Sequence, residues 1–304
     1  MVGIVILNYN SWDDTEQCIT SLHKAEPKLR CRIYLVDNCS PKRPTDKFME
    51  FLNEKQVIFI QNGINSGYSA GNNLGIKRAL DDGCDSILIS NSDVRYEKES
   101  VTSLFRYLHT HPDVGIVGPK IIRENGTIQK ECMMVKTGIR EKYLLRTRLY
   151  IFFPRYNKKY WGRNHDYNQE TFRVYAVLGC CFMISRECAL EVTPLDEKTF
   201  LYEEELILGI CMEQAGWKTI YYPKSVIHHL HGKSTQNVKA FSYTCNVCSE
   251  IYYCRKYLQM ERWKIIPLFC YRSVLYIVKC LNSADFRGYW KQYQTRTKQE
   301  LNGG

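Results

Sequence analysis

At 304 residues, 44% hydrophobic and 24% charged, the chain has room for one large α/β domain with an appendage and the composition of an ordinary globular protein. Its fourteen cysteines lack the spacing of a disulfide scaffold. The formal charge of +10 is concentrated in residues 136–163, where nine Lys or Arg accompany the single Glu141, and in residues 255–304, where ten accompany Glu261, Asp285 and Glu300. Two separated basic patches on a mildly acidic remainder suit an anionic surface. No nucleic acid is expected as a partner, because the chain carries no recognised module for it.

Residues 2–7 (VGIVIL) read as a buried first strand ending in Asn8-Tyr9-Asn10, with Ser11, Asp13 and Asp14 offering caps for a helix through His23. A second strand, 31–36, ends at Asp37-Asn38; a helix over 46–53 and a third strand over 57–60 follow. This alternation predicts a parallel sheet of βαβ units. Each strand ends in Asn or Asp, so polar groups collect along the edge where α/β sheets bind ligands. The segment after strand three carries Gly63, Gly67 and Gly71 ahead of a predicted helix over 72–80. Such a glycine-preceded helix start suits a phosphate, or is a ligand-free turn.

The short apolar run 87–89 reads as another buried strand and stops in Asn91-Ser92-Asp93. Asp93 therefore stands where a divalent cation, bound by one or two carboxylates plus substrate phosphates, would arrive. A helix over 98–109 and a strand over 114–122 precede the basic, aromatic stretch 136–163, expected as an amphipathic or mobile insertion or a solvated lid. Residues 174–185 read as one buried strand and 186–192 as a short helix. Glu203-Glu204-Glu205 then opens a helix; acidic first turns suit the helix dipole, and a carboxylate held there can act as a general base. A strand over 217–222 leads to His228, His229 and His231, a cluster that offers imidazole to a metal or phosphate.

From Phe241 to Tyr293 the sequence turns helical, basic and aromatic. The apolar run 265–278 holds Pro267 and Arg272 and is short for a bilayer span, so an in-plane anchor on anionic lipid is expected. Cys84, Cys180, Cys181, Cys211 and Cys270 lie in apolar runs, where a reduced thiol is a small hydrophobe; Cys245 and Cys248 lack a second ligand pair for zinc. With no secretory leader in the first residues, a reducing cytoplasm is the expected compartment.

Taken together, Asn8-Tyr9-Asn10, Asp37-Asn38, Asn65-x-Gly67 with Gly71-Asn72-Asn73, Asn91-Ser92-Asp93, Phe200-Leu201-Tyr202-x-Glu204-Glu205 and His229-x-x-Gly232-x-Ser234 resemble, in order, the motifs of bacterial family 2 glycosyltransferases. The likeness is to the rhamnosyltransferase-like, polysaccharide-synthesis branch. It implies a GT-A fold over residues 1–235, with a Rossmann-like nucleotide-sugar half (1–122) and an acceptor half (123–235). Residues 236–304 would be a helical, membrane-proximal extension.

The resemblance also implies roles. Asn8, Tyr9, Asn10, Asp37, Asn38, Asn65, Gly67, Asn72, Asn91 and Ser92 would contact the nucleotide-sugar, with Asp37 reading the base. Asp93 and His229 would hold Mg²⁺ or Mn²⁺ on the diphosphate. Glu205, or its neighbour Glu204, would take the proton from an acceptor hydroxyl in a single inverting displacement. Here the family's DxD is reduced to Asn-Ser-Asp, and its Glu-Asp pair is Glu204-Glu205. The implied partners are a UDP-sugar or dTDP-rhamnose and a lipid-linked glycan; the basic aromatic segments add the inner face of the plasma membrane, and a homodimer is left open. A non-catalytic sugar-nucleotide-binding or scaffold protein of this fold, or a sugar nucleotidyltransferase, are the alternatives.

Overall fold

The computed structural model describes residues 1–230 and 239–303. Its elements run β1 (Val2–Asn8), α1 (Trp12–Ala25), β2 (Cys31–Asp37), α2 (Asp46–Glu54), β3 (Ile58–Gln61), α3 (Gly67–Asp81), β4 (Ser86–Asn91), β5 (Val94–Tyr96), α4 (Ser100–Thr110) and β6 (Val114–Arg123). There follow α5 (Ile139–Leu144), a 3₁₀ turn (Arg148–Phe152), α6 (Pro154–Tyr160), β7 (Phe172–Val174), β8 (Cys181–Ser185), α7 (Arg186–Val192), α8 (Glu204–Ala215) and β9 (Lys218–His229). Four helices close the chain: α9 (Lys239–Lys256), α10 (Arg262–Asn282), α11 (Ala284–Gly288) and α12 (Trp290–Asn302).

One sheet carries the strands in the order β3-β2-β1-β4-β8-β6-β9-β5, with β7 also paired to β9. Its first four strands are parallel, and β8 runs antiparallel between β4 and β6. The sheet is therefore mixed. Val2, Ile4, Val5 and Ile6 of β1 are fully buried, because helices cover both faces; a strand buried on both sides reads as an unbroken apolar run rather than an alternation. One face packs against α1 and α4 through Ile19, Leu22 and Leu104, the other against α3 and α7 through Ile76 and Ala189.

Several expected boundaries move. Helix α3 starts at Gly67 rather than at residue 72, so Gly71 lies inside the helix and packs it onto the sheet. A Cβ there would lie 2.6 Å from Leu7 Cδ1. The apolar run 174–185 is not one strand: it takes only the last residue of β7, turns through Gly179 and resumes as β8. Strand β9 continues past Pro223 to His229, with register shifts against β6. Ser11 precedes α1, but its hydroxyl donates to Asn8 Oδ1 instead of capping the helix.

The basic stretch 136–163 forms α5, the 3₁₀ turn and α6, and joins the C-terminal helices. Tyr143 Oη donates to the Lys264 carbonyl, Arg148 N to Tyr271 Oη at 3.0 Å, and Arg272 Nη2 to the Arg146 carbonyl at 2.8 Å. Helices α9 to α12 share a cluster built on Val247, Ile251, Leu268, Tyr276, Phe286 and Tyr293. Helix α10 extends beyond the apolar run on which the sequence reading rested. At 21 residues it is long and apolar enough, by length and composition, to cross a membrane. Its inner face nevertheless buries Ile265, Leu268 and Tyr276 against its neighbours. All fourteen cysteines are free; Cys84, Cys180 and Cys181 are buried, whereas Cys270 is exposed.

Candidate active site

The parallel strands end in a hydrogen-bonded polar layer. Asn8, fully buried, donates from Nδ2 to Asp37 Oδ1 (3.0 Å) and accepts at Oδ1 from Ser11 N (3.2 Å), Ser11 Oγ (2.9 Å) and Thr15 Oγ1 (3.0 Å). Asp37 also accepts from Ser40 N (3.2 Å), the Ser40 hydroxyl and Gln61 Nε2 (2.9 Å). Asn38 donates to Asn65 Oδ1 and the Gly67 carbonyl, both at 2.9 Å, and accepts from Asn62 Nδ2 at 2.9 Å. Buried amides and carboxylates survive only when paired. Here they pair with one another and fix the shape of the sheet edge.

Above this layer lies a cavity of about 680 Å³. Tyr9, Asn38, Asn65, Gly67, Asn91, Ser92, Asp93 and His229 line it from the strand ends and the start of α3, and Glu204 and Glu205 from the start of α8. Asn8 and Asp37 sit beneath the floor, buried. Asn10 is exposed, in a left-handed turn (φ 55°) whose N–H donates to Ser40 Oγ at 2.7 Å. Asn72 lies fully buried within α3 and donates to the Tyr68 carbonyl at 2.9 Å. Four expected contacts are thus placed beneath or beside the cavity rather than on its wall.

Gly67 shows why the two sides meet. With φ at +87°, it lets the backbone of Phe200 cross so closely that a Cβ would lie 2.3 Å from the Phe200 carbonyl oxygen. That carbonyl accepts from Tyr68 N at 2.9 Å. The close approach required of this glycine is to the chain itself.

Asp93 and His229 are brought together by β5, which the sequence reading missed. Antiparallel pairing of β5 with β9 sets Val94 opposite His229, and His229 Nε2 lies 3.3 Å from Asp93 Oδ1. Among the described residues, no group of three or more His, Cys, Asp or Glu can hold a metal ion. One carboxylate beside one imidazole nevertheless suits a Mg²⁺ or Mn²⁺ whose remaining ligands come from a diphosphate. His228 points elsewhere and pairs with Glu97 at 2.8 Å. His231, Gly232 and Ser234 lie outside the described residues.

Tyr202 and Glu203 take left-handed conformations (φ 75° and 71°) that turn the chain into α8. Glu205 accepts from Gly179 N at 3.1 Å, and Tyr68 Oη donates to the Gly179 carbonyl at 2.5 Å. Burial pushes the Glu204 carboxyl well above the ordinary range, and the charge of Glu205 pushes the same way. Burial also raises Glu205, but backbone N–H donors, Gly179 among them, pull against that rise. Hydrogen bonds to the charged form favour it. Backbone N–H donors oppose the rise of Glu204 too, yet its carboxyl is pushed well above the ordinary range, so Glu205 is the more readily charged of the two.

Tyr68, Gln129, Gly179, Phe241 and Ser242 also line the cavity and carry no signal in the sequence. Phe241 and Ser242 belong to α9, whose Ser242 hydroxyl bonds the Tyr202 hydroxyl. The C-terminal helices thus contribute a wall of the site.

The chain resembles known proteins in sequence and in fold. The chain is 27% identical over 207 residues to the low-salt glycan biosynthesis hexosyltransferase Agl10 of Haloferax volcanii, covering 67% of this chain and 59% of that protein, so it spans little more than half of that relative. It is 26% identical over 239 residues to an N-acetylglucosaminyl-diphospho-decaprenol L-rhamnosyltransferase of Mycobacterium tuberculosis, covering 75% of this chain and 76% of that one. A crystal structure of GalNAc-T7 with UDP, GalNAc and Mn²⁺ shares its fold at a TM-score of 0.57 and 18% identity, over 76% of this chain and 43% of that chain. Residues 3–188 match the family model described as Glycosyl transferase family 2. The chain belongs to that family and has the GT-A fold.

Proposed function

We propose that the protein is an inverting glycosyltransferase that moves a sugar from dTDP-rhamnose or a UDP-sugar to a hydroxyl of a lipid-linked glycan in cell-surface polysaccharide assembly. The observation that carries this reading is that Asp93, His229 and Glu205 line one and the same cavity. A diphosphate and an acceptor hydroxyl can then flank one anomeric carbon.

In this mechanism the amides and hydroxyls of Asn38, Asn65, Asn91 and Ser92 orient the donor, while Asp37, buried beneath them, holds Asn8, Ser40 and Gln61 in place. A divalent cation held by Asp93 and His229 would offset charge on the leaving diphosphate. Glu205, kept in place by Gly179 N–H, accepts the acceptor hydroxyl's proton as that oxygen forms its bond to the anomeric carbon and the bond to the diphosphate breaks. No nucleophilic side chain is needed. Glu204, protonated where Glu205 is charged, keeps a second negative charge out of the site.

The exposed apolar residues Leu149, Ile151, Phe152, Trp263, Ile277 and Leu281, with exposed Arg148, Arg155, Lys158, Arg262 and Lys279 around them, support docking of the enzyme on an anionic cytoplasmic leaflet. Helix α10 would lie in the plane of that surface, because its other face is packed on protein.

The test is binding and hydrolysis across UDP-, dTDP- and GDP-sugars with Mn²⁺, Mg²⁺ or EDTA. Selective, cation-dependent binding of dTDP-rhamnose or one UDP-sugar is expected. A folded protein that binds none of them is a scaffold; one that binds equally well in EDTA removes the cation role from Asp93 and His229.

A further inference from the structure

Lys142 of α5 is fully buried, yet its ammonium stands among charges rather than apolar groups. It lies 2.7 Å from Glu203 Oε2 and 3.5 Å from Glu250 Oε1, and 4.8 Å from the centre of the Tyr253 ring. Glu250, on α9, is clamped by Arg272 of α10 through bonds of 2.7 and 2.9 Å. Arg146 Nη2 comes within 3.9 Å of Glu203 Oε1. A buried ammonium is too costly to persist without partners that compensate its charge. Burial alone would lower the Lys142 pKa, but the two carboxylates outweigh it and hold the group charged.

Three segments, distant in sequence, thus place their charges behind the first turn of α8. None of these side chains lines the cavity. The carboxylate they meet belongs to the residue immediately before Glu204 and Glu205. Glu203 is also the second of two consecutive non-glycine residues with positive φ, and α8 has no side-chain cap. Such backbone persists only where its surroundings over-determine it. The ion pair to Lys142 tethers the Glu203 half of this kink, as the bond to the Ser242 hydroxyl tethers Tyr202.

We propose that Lys142 is a positioning residue for the Glu204–Glu205 pair: by anchoring Glu203 it fixes the left-handed kink from which both carboxyls enter the cavity, and by neutralising Glu203 it keeps a third negative charge from acting on them. The inference rests on the reading of Glu205 as the base. Glu203 raises both carboxyls of the pair and Arg146 lowers Glu205, while Tyr68, Cys180 and Cys245 are the other titratable groups facing them. A base must be ionised, so any change that raises its pKa moves the acid limb of the rate profile to higher pH.

Lys142→Met and Glu203→Gln separate the two effects. In Lys142→Met, kcat should fall at least tenfold with KM for the donor within twofold of wild type, and the acid limb should move to higher pH. In Glu203→Gln the limb should move to lower pH while kcat still falls. The double variant leaves Glu250–Arg272 paired and balances charge should the single variant fail to fold; its limb should return to the wild-type position with kcat still reduced. Hydrogen exchange across residues 200–207, read without substrate, should speed up in every variant. Variants with wild-type kcat, or with wild-type exchange over 200–207 in an intact fold, overturn the proposal. A wild-type protein that transfers no sugar, with exchange still accelerated in the variants, would instead overturn the base assignment and leave the anchor standing.

Discussion

The two sides of the cavity are built by different physics. On the proposed donor side, strand ends lie in parallel register, Asn8 beside Asp37 and Leu7 beside Asn91, and hydrogen bonds among neighbours hold them. On the proposed acceptor side, the side-chain contacts are long-range. Glu205 is held by Gly179, Glu203 by Lys142 and Tyr202 by Ser242, from three separate parts of the chain. A sheet edge tolerates change because each group has several partners. The acceptor side depends on single contacts between distant segments, so single substitutions should be felt most strongly there.

The largest effect is expected at Glu205. Glu205→Gln removes the proton acceptor but preserves shape, so transfer should fall roughly 10²–10⁴-fold with donor affinity unchanged in a calorimetric titration. Comparable loss of donor binding would place Glu205 on the donor side and break the comparison. The pH profile gives a second reading. Burial raises the Glu205 pKa, and the base must be charged, so the acid limb of kcat should lie above the value of about 4.3 of a free glutamate.

Next comes the donor side's own charge. Asp93→Asn should weaken donor binding in Mn²⁺ by at least the roughly 10–100-fold produced when a metal's outer-shell partner is lost, and leave binding in EDTA little changed. Gly179→Ala should act on the opposite side: its Cβ would lie 3.0 Å from Glu205 Oε1 and 3.2 Å from Tyr68 Oη. The carboxyl must shift by a few tenths of an ångström, and since a misplacement of about 1 Å costs about 10²-fold, kcat should drop roughly tenfold with donor KM preserved. An unchanged kcat would show that the turn yields instead of the glutamate.

The contrast extends to what the sequence discloses. Strands β1, β2 and β4 were legible because burial on both faces leaves an uninterrupted apolar run, and their ends were legible because Asn and Asp stop such runs. The pairing of Asp93 with His229 was not, since it depends on the three-residue strand β5, too short to carry a period. The break at Gly179 was hidden because residues 174–185 are apolar throughout. Lys142 read as one more surface charge in a basic stretch, and only the fold shows Glu203 and Glu250 around it. Resemblance of motifs supplied the acid pair and its order, but not Phe241 and Ser242, which follow the last motif in the chain.

Stability should divide along the same line. Arg272→Met leaves Glu250 buried with less compensation, and breaking a buried pair costs about 3–5 kcal/mol. A fall in Tm is therefore expected, although Arg272 touches no ligand. Lys77→Met removes an exposed pair with Asp81, the two side chains 76% and 57% accessible; such pairs contribute little, and no measurable change should follow.

The smallest effect on catalysis, and the sharpest test of the membrane proposal, is expected at the outer surface. Ile151, Phe152 and Leu281 are 60%, 72% and 75% exposed and make no contribution to the cavity, so replacing all three by Ser should leave turnover of a water-soluble acceptor unchanged. Sedimentation with vesicles containing anionic lipid should behave differently. Insertion of apolar side chains contributes about 0.8 kcal/mol per buried CH₂, and each nearby Lys or Arg about 1 kcal/mol. The triple variant should therefore lose most vesicle binding while retaining its salt-sensitive part, and reversing Arg148 and Lys279 to Glu should remove that remainder. If the triple variant binds vesicles as well as wild type, the apolar surface serves another partner and the basic residues alone draw the protein to lipid.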